Sequence, residues 1–322
     1  MNILPIEGRA VPQPSYDYKV RRLVRLYKKA LKEIQKELRR TDVTRLSQAN
    51  SYALMRSIQE RLLELDKEAV KWIRENIPEA TKQGTASALV SLGYVDTIEE
   101  AMLIAKFNQT NRLLVASAVA DTQKDVLAIT QNMNATIRKK VQQITLTVIS
   151  EQLTLGYGMR TIRNEMRDRI KELQKELTDA ADTAIIDSAG RRWKVEHYTE
   201  MLARTKLTQI HTEATRNEAL GRDALYATIN VNPKTWDACK YHQGRIIKLD
   251  PNAEGSYPTY EELKMSGQIF HPNCKHHIQP FRMLSRLDEE ARQLAEKQHE
   301  LGTRAIEAGG RNPNEGYINK KQ

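Results

Sequence analysis

The chain has 322 residues, 40% of them hydrophobic, which supports a packed core and excludes wholesale disorder. Lys and Arg number 51 against 41 Asp and Glu, and the formal charge of +10 suits a polyanionic or acidic partner. With 14 Gly and 10 Pro the chain is neither collagen-like nor linker-dominated, and no apolar run approaches the ~20 residues of a membrane span.

In chain order, residues 1–18 read as an extended arm carrying Pro5, Pro12 and Pro14. The arm has no apolar run of signal-peptide type, so secretion is not expected and the thiols are expected in a reducing compartment. From Lys19, apolar residues fall at Val20, Leu23, Val24, Tyr27, Ala30, Leu31, Ile34 and Leu38, which is one face of a helix. The rest of that helix is basic, with eleven Lys/Arg against three acids in residues 19–45. The pattern continues over 43–77 and is expected to stop at Pro78. Thr97 and Glu100 have capping-box spacing ahead of a short apolar run. Long helices are expected at 111–155 and 159–184, with a break at Gly156-Tyr-Gly158.

The pattern changes near Thr183. Residues 184–195 read as strand, turn, strand, residues 197–227 as a long helix, and residues 228–231 as a short strand. Six of the ten prolines and both cysteines follow Val231. Residues 285–306 read as a charged helix and 307–322 as a flexible tail. The fold class is therefore mainly α: an arm (1–18), a helical domain (19–182), a small α/β domain (183–284) that zinc would staple, and a terminal helix with tail (285–322). Trp193, Trp236 and Phe281 read as core of the small domain. Arg204, Thr205 and His211 read as a satisfied polar helix face.

The chemistry is concentrated in the small domain. Cys239-Lys-Tyr-His242 is a C-x2-H pair, His271-Pro-Asn-Cys274 is an H-x2-C pair, and His276 and His277 follow. Both cysteines and four of the seven histidines fall within 39 residues. Thiolate and imidazole are the ligands zinc takes, and two short turns can bring such pairs onto one ion. Cys239, His242, His271, Cys274 and His276 are the candidate ligands of a structural Zn2+. No phosphate loop, nucleophile elbow, dinucleotide or kinase motif occurs, and no catalytic residue is assigned. Lys19, Arg21, Arg22, Arg25, Lys28, Lys29 and Lys32 are the candidate contacts to nucleic-acid phosphates.

Taken together, D-S-A-G-R-R-W-K-V at 187–195, Y-T-E-M-L-A-R-T at 198–205, W-D-A-C-K-Y-H-Q-G at 236–244, Tyr257-Pro258 and G-Q-I-F-H-P-N-C-K-H at 267–276 resemble, in that order, the phage minor capsid protein 2 family. The resemblance covers residues 183–282. His242 departs from it, standing where members commonly have a second Cys, and keeps a zinc-competent ligand there. The resemblance implies a non-enzymatic minor head protein of a tailed bacteriophage, present in several copies per virion. It implies contact with the portal and with scaffold or major capsid proteins, no membrane association, and assembly in the host cytoplasm. The basic helix adds a contact with packaged double-stranded DNA. Two readings of another class use the same residues: a metal-dependent nuclease, and a zinc-stapled nucleic-acid-binding protein.

Overall fold

A computed structural model describes residues 8–41, 48–154, 160–183, 185–187 and 190–318. The expectations that fall on residues 1–7, Arg45, Leu46, Gly156-Tyr-Gly158, Ala184 and Ser188-Ala189 lie outside the described residues. The chain is mainly helical. Its long helices are α1 (Asp17–Arg40), α2 (Gln48–Ser91), α4 (Gln109–Thr154), α5 (Arg160–Asp182) and α6 (Val195–Leu220), with a short α3 (Ile98–Ile104) between the second and third. Thr97 caps α3 by accepting from the Glu100 N–H. The eight apolar residues at helical spacing in α1 are its buried residues. Asp17 in its first turn and Arg39 and Arg40 in its last complement the helix dipole.

The fold divides into two compact units that interleave in sequence. One unit, Tyr18–Arg74 with Ala120–Ala203, is almost entirely helical. Its core takes Leu23, Tyr27 and Ile34 from α1, Ile58, Trp72 and Ile73 from α2, Val126, Ile129, Met133 and Ile137 from α4, and Leu173 and Leu177 from α5. Each such side chain contributes about 1.5–3 kcal/mol by leaving water. The polar ends of the large rings are satisfied: Tyr27 donates to the Val126 carbonyl at 3.2 Å and Trp72 to the Lys19 carbonyl at 2.9 Å. The strand–turn–strand reading holds as the antiparallel hairpin β1 (Ile185–Ile186) and β2 (Arg192–Trp193). Asp187 organises it, accepting from Trp193 Nε1 at 2.9 Å and from the Arg191 N–H at 2.8 Å and Nε at 2.7 Å. These bonds, that from Trp193 foremost, hold its carboxyl down at about 2.

The other unit comprises Met1–Asp17, Glu75–Val119 and Arg204–Gln322. Its sheet has the order β4–β3–β5 and is antiparallel throughout, built from β3 (Tyr226–Ile229), β4 (Ile246–Lys248) and β5 (Ile278–Phe281). All four residues of the central strand are buried. Pro280, which cannot donate to a ladder, stands on an edge strand. Helices α7 (Tyr260–Met265), α8 (Glu289–Ala308) and α9 (Glu315–Ile318) complete the unit. Within it α2 and α6 approach so closely that a Cβ on Gly84 would lie 2.2 Å from the His211 carbonyl oxygen.

Four expectations need correction. Pro78 does not end α2, which runs through it to Ser91. A proline removes one helical hydrogen bond and crowds one carbonyl, and burial of Ile73, Ile77, Ala80 and Thr81 on the packed face outweighs that loss. Helix α6 stops at Leu220, not near Ala227, because Gly221 follows and Asp223 turns the chain with a φ of 57°. Tyr226 and Ala227 are therefore strand. Trp236 is 77% exposed, while Phe281 is core. The N-terminal arm is packed from Gly8, whose N–H donates to the Ser91 carbonyl at 3.0 Å, and Val11 and Tyr16 are buried. The tail is also ordered as far as Ile318: the Ala238 N–H donates to the Arg311 carbonyl at 2.9 Å, and Ile318 is buried with Tyr241 and Ala305.

His211 lies on the packed face of α6, with Nδ1 2.9 Å from Tyr16 Oη and Nε2 3.3 Å from Ser87 Oγ. Burial, and secondarily the neighbouring His277, lowers its pKa from 6.5 to about 3. The unfolded chain therefore takes up this proton first. The stability that neutral His211 contributes is complete above about pH 6.5 and falls as the pH drops from there toward 3. The variant His211→Gln is expected to show a shallower acid loss, by up to about 1.4 kcal/mol per pH unit, in urea midpoints taken between pH 7 and pH 5. Equal slopes would mean that His211 is protonated without unfolding.

Gln268 ties the ordered tail to the sheet unit. Its amide donates to the carbonyls of Ala305 and Gly310 at 2.5 and 3.0 Å, while its Oε1 lies 2.9 Å from His242 Nε2. Gln268→Ala leaves the buried His242 Nε2 unpaired and removes two bonds to the tail, and should cost about 1–3 kcal/mol in urea unfolding. Amide protection in residues 305–318 should fall with it; unchanged protection there would separate Gln268 from the tail.

Candidate metal centre

Two turns bring the cysteines together. Asp237 caps the first, a 3-10 turn over Ala238–Tyr241, by accepting from the Cys239 N–H at 3.2 Å. The second reverses at His271-Pro-Asn-Cys274, where the Cys274 N–H donates to the His271 carbonyl at 3.0 Å. Asn273 takes a φ of 68°, a conformation Asn tolerates better than most residues, and its N–H donates to Thr205 Oγ1 at 2.8 Å. Cys239 and Cys274 belong to one apolar cluster with Ala227, Ile229, Ile247 and Ile278, so the sheet supports both turns.

The two sulfurs lie 3.8 Å apart. That is too long for a disulfide, and both thiols are free. It matches the S···S edge of about 3.8 Å that tetrahedral zinc with Zn–S bonds of about 2.3 Å requires. His271 Nε2 is 3.1 Å from Cys239 Sγ, and the ligand atoms of Cys239, His271 and Cys274 all lie within 4.8 Å of one another. His276 borders the group from one side, its Nδ1 3.3 Å from Cys274 Sγ. The thiols share a contact that lowers Cys274, with help from His276 and against burial, and raises Cys239. Two buried cysteine sulfurs beside an imidazole are a donor set suited to a thiophilic divalent ion.

His242 does not join this group. It is fully buried, with Nε2 on Gln268 Oε1 and Nδ1 3.3 Å from an Arg245 nitrogen. The C-x2-H spacing gave no sign of this, because the 3-10 turn ends at His242 and sends its ring to the other side. His277 also points elsewhere, into the interior near His211, with ring centroids 6.3 Å apart. Gln268 and Arg311 are the site residues that motif reading did not assign, and Asp237 also borders the group. Asp237 Oδ2 is 3.2 Å from His271 Nε2 and accepts from Arg311 at 2.8 Å. Burial raises the Asp237 carboxyl, but hydrogen bonds from Arg311 and Cys239, together with His271, leave it below the ordinary value. The group forms one wall of an open cleft of about 600 Å3, whose other lining includes Tyr16, Arg204, Thr208 and the exposed Trp236. Arg204 is paired with Asp17 at 3.2 Å.

The basic candidates lie on α1. Arg21, Arg25, Lys28, Lys29 and Lys32 are exposed and follow one another at helical spacing, so they form one stripe opposite the buried apolar face. Lys19 and Arg22 are half-buried at its margin, and Lys28 also pairs with Glu196 at 2.5 Å.

The family model described as Phage minor capsid protein 2 matches residues 15–312. A structural protein of Lactococcus phage LL-H is 22% identical over 135 residues, which are 40% of this chain and 36% of that relative, so the similarity spans well under half of either. No solved structure matches the chain. The match takes in α1, the hairpin at Asp187, and both turns of the Cys/His group, and with such coverage the chain belongs to the phage minor capsid protein 2 family.

Proposed function

We propose that the chain is a structural component of a tailed-phage head that works at the portal vertex, beside scaffold or major capsid protein, in several copies per virion. In this reading the exposed face of α1 lies against packaged double-stranded DNA, and one structural Zn2+ sits on Cys239, Cys274 and His271, with His276 as the neighbouring fourth donor. The family match over residues 15–312 carries the capsid role. The stripe of five exposed cations carries the DNA contact, since phosphates are bound through charge without reading sequence. The S···S distance of 3.8 Å carries the zinc.

The DNA contact is tested by salt dependence. Replacing Arg21, Arg25, Lys28 and Lys32 with Gln should flatten the slope of log K against log salt by about 0.9 for each phosphate that is no longer neutralised. An unchanged slope would assign the stripe to an acidic protein surface. Portal association is tested by co-purification of the full chain with the portal protein. DNA cleavage that needs a divalent ion and disappears in His271→Ala would replace the structural reading with a nuclease.

For the metal, elemental analysis of the purified chain should give roughly one zinc per chain. His242→Ala should keep it, and Cys274→Ser and His271→Ala should lose it. Retention in both of the latter would end the zinc reading.

A further inference from the structure

His271 has one lone pair to offer. Its Nδ1 lies 2.8 Å from the Pro272 carbonyl oxygen, which only accepts, so Nδ1 carries a hydrogen, and the neutral ring that a metal would need presents its lone pair at Nε2, 3.2 Å from Asp237 Oδ2. Arg311 has only donors, and one of its terminal nitrogens lies 3.0 Å from that Nε2 while donating to Asp237 Oδ2 at 2.8 Å. The guanidinium thus bridges Asp237 and His271 on the side of the ring where Cys239 Sγ stands 3.1 Å away. A metal bond and the Arg311 hydrogen bond need the same pair of electrons, so one excludes the other.

Arg311 is part of a clasp. Its carbonyl accepts from the Ala238 N–H at 2.9 Å, the Gly310 carbonyl accepts from Gln268 at 3.0 Å, Glu315 pairs with Lys240, and Ile318 is buried against Tyr241 and Ala305. Residues 309–318 therefore lie across the turn that carries Cys239. We propose that a thiophilic divalent ion bound at Cys239, Cys274 and His271 displaces Arg311 from His271, so that ion occupancy loosens this C-terminal clasp. The proposal rests on the zinc reading above. Linkage makes the coupling reciprocal: whatever factor the ion takes from the clasp, the clasp takes from ion affinity. The chain thereby carries a segment whose hold depends on whether the centre is loaded.

The test uses the full chain, stripped with a chelator and titrated with zinc chloride against a chromogenic competitor. Hydrogen exchange of the peptide covering residues 309–318 is followed with and without zinc. In the unaltered chain zinc should speed exchange there. A purely structural ion would stiffen the neighbourhood and slow it, the opposite sign, and this measurement needs no variant. Arg311→Met, which removes the donor and keeps the length, should bind zinc about tenfold more tightly, the scale of one charged hydrogen bond. Zinc should no longer change exchange at 309–318 in that variant. Zinc bound by both chains with equal or weaker affinity in Arg311→Met, or with slowed exchange in the unaltered chain, would overturn the displacement and leave the zinc reading standing. Failure of either chain to bind zinc would overturn both.

Discussion

In the sheet-containing unit α2 and α6 meet at backbone contact, α4 joins them through Asn111, and the rest of that unit depends on the meeting. Gly84 permits it, because any side chain there would run into the His211 carbonyl of α6. Backbones that close leave no room for large apolar residues, so the seam is made of small polar side chains that satisfy one another. Thr215 donates to the Gly84 carbonyl at 3.0 Å. Asn111 of α4 donates to Thr85 Oγ1 at 3.2 Å and to the Ala214 carbonyl at 3.3 Å, and accepts from Asn217 at 3.0 Å. A buried network of this kind is stable only when every member is paired, and it fixes one arrangement where an apolar seam would tolerate several. The seam also fixes His211, on which Tyr16 of the arm closes, and α6 then presents Thr205 to the turn that carries Cys274.

The helical half was legible because its signal is periodic and repeated. Eight apolar residues of α1 at helical spacing are hard to arrange otherwise, and all eight are buried. The Asp187 hairpin was legible through local chemistry: a carboxylate, a glycine with positive φ and a tryptophan within seven residues close on each other. What sequence could not show depended on partners far along the chain. Pro78 looks like a stop until Ile77 and Ala80 are seen to be buried on both sides of it. The tail looks free because its residues are polar, yet those polar groups are what Gln268 and Asp237 need. The interleaving of the two compact units has no local signature at all.

The metal group shows the same division. Four of its five candidate ligands lie together, because each short motif makes its own turn and the sheet beneath brings the turns into register. His242 fails for a reason that spacing cannot encode: Arg245, itself 2% exposed, needs a neighbour that accepts, and His242 Nδ1 stands there. Burial of a guanidinium is costly unless its donors are used. Its bonds to His242, His299 and Thr303 draw that corner toward α8 and away from the cysteines. The Cys-to-His difference from the family pattern at position 242 thus bears on the packing of α8, while the cysteines, His271 and His276 keep the donor set.

The two charged features of the chain obey different physics. On α1 the apolar face is spent on packing, which leaves the cations at the surface in high dielectric, where each contact to a phosphate is weak, additive and screened by salt. Such a face suits a polyanion held by bulk charge, and Tyr18, 66% exposed, adds a ring at its N-terminal end. The Cys/His group lies in the opposite regime. Its cysteines are buried beside an open cleft, and several donors and acceptors crowd within hydrogen-bond reach of one ring nitrogen. A structural protein can use the first kind of site without moving. The second kind would respond to a single ion, and Arg311 ties it to the segment that runs on to Ile318.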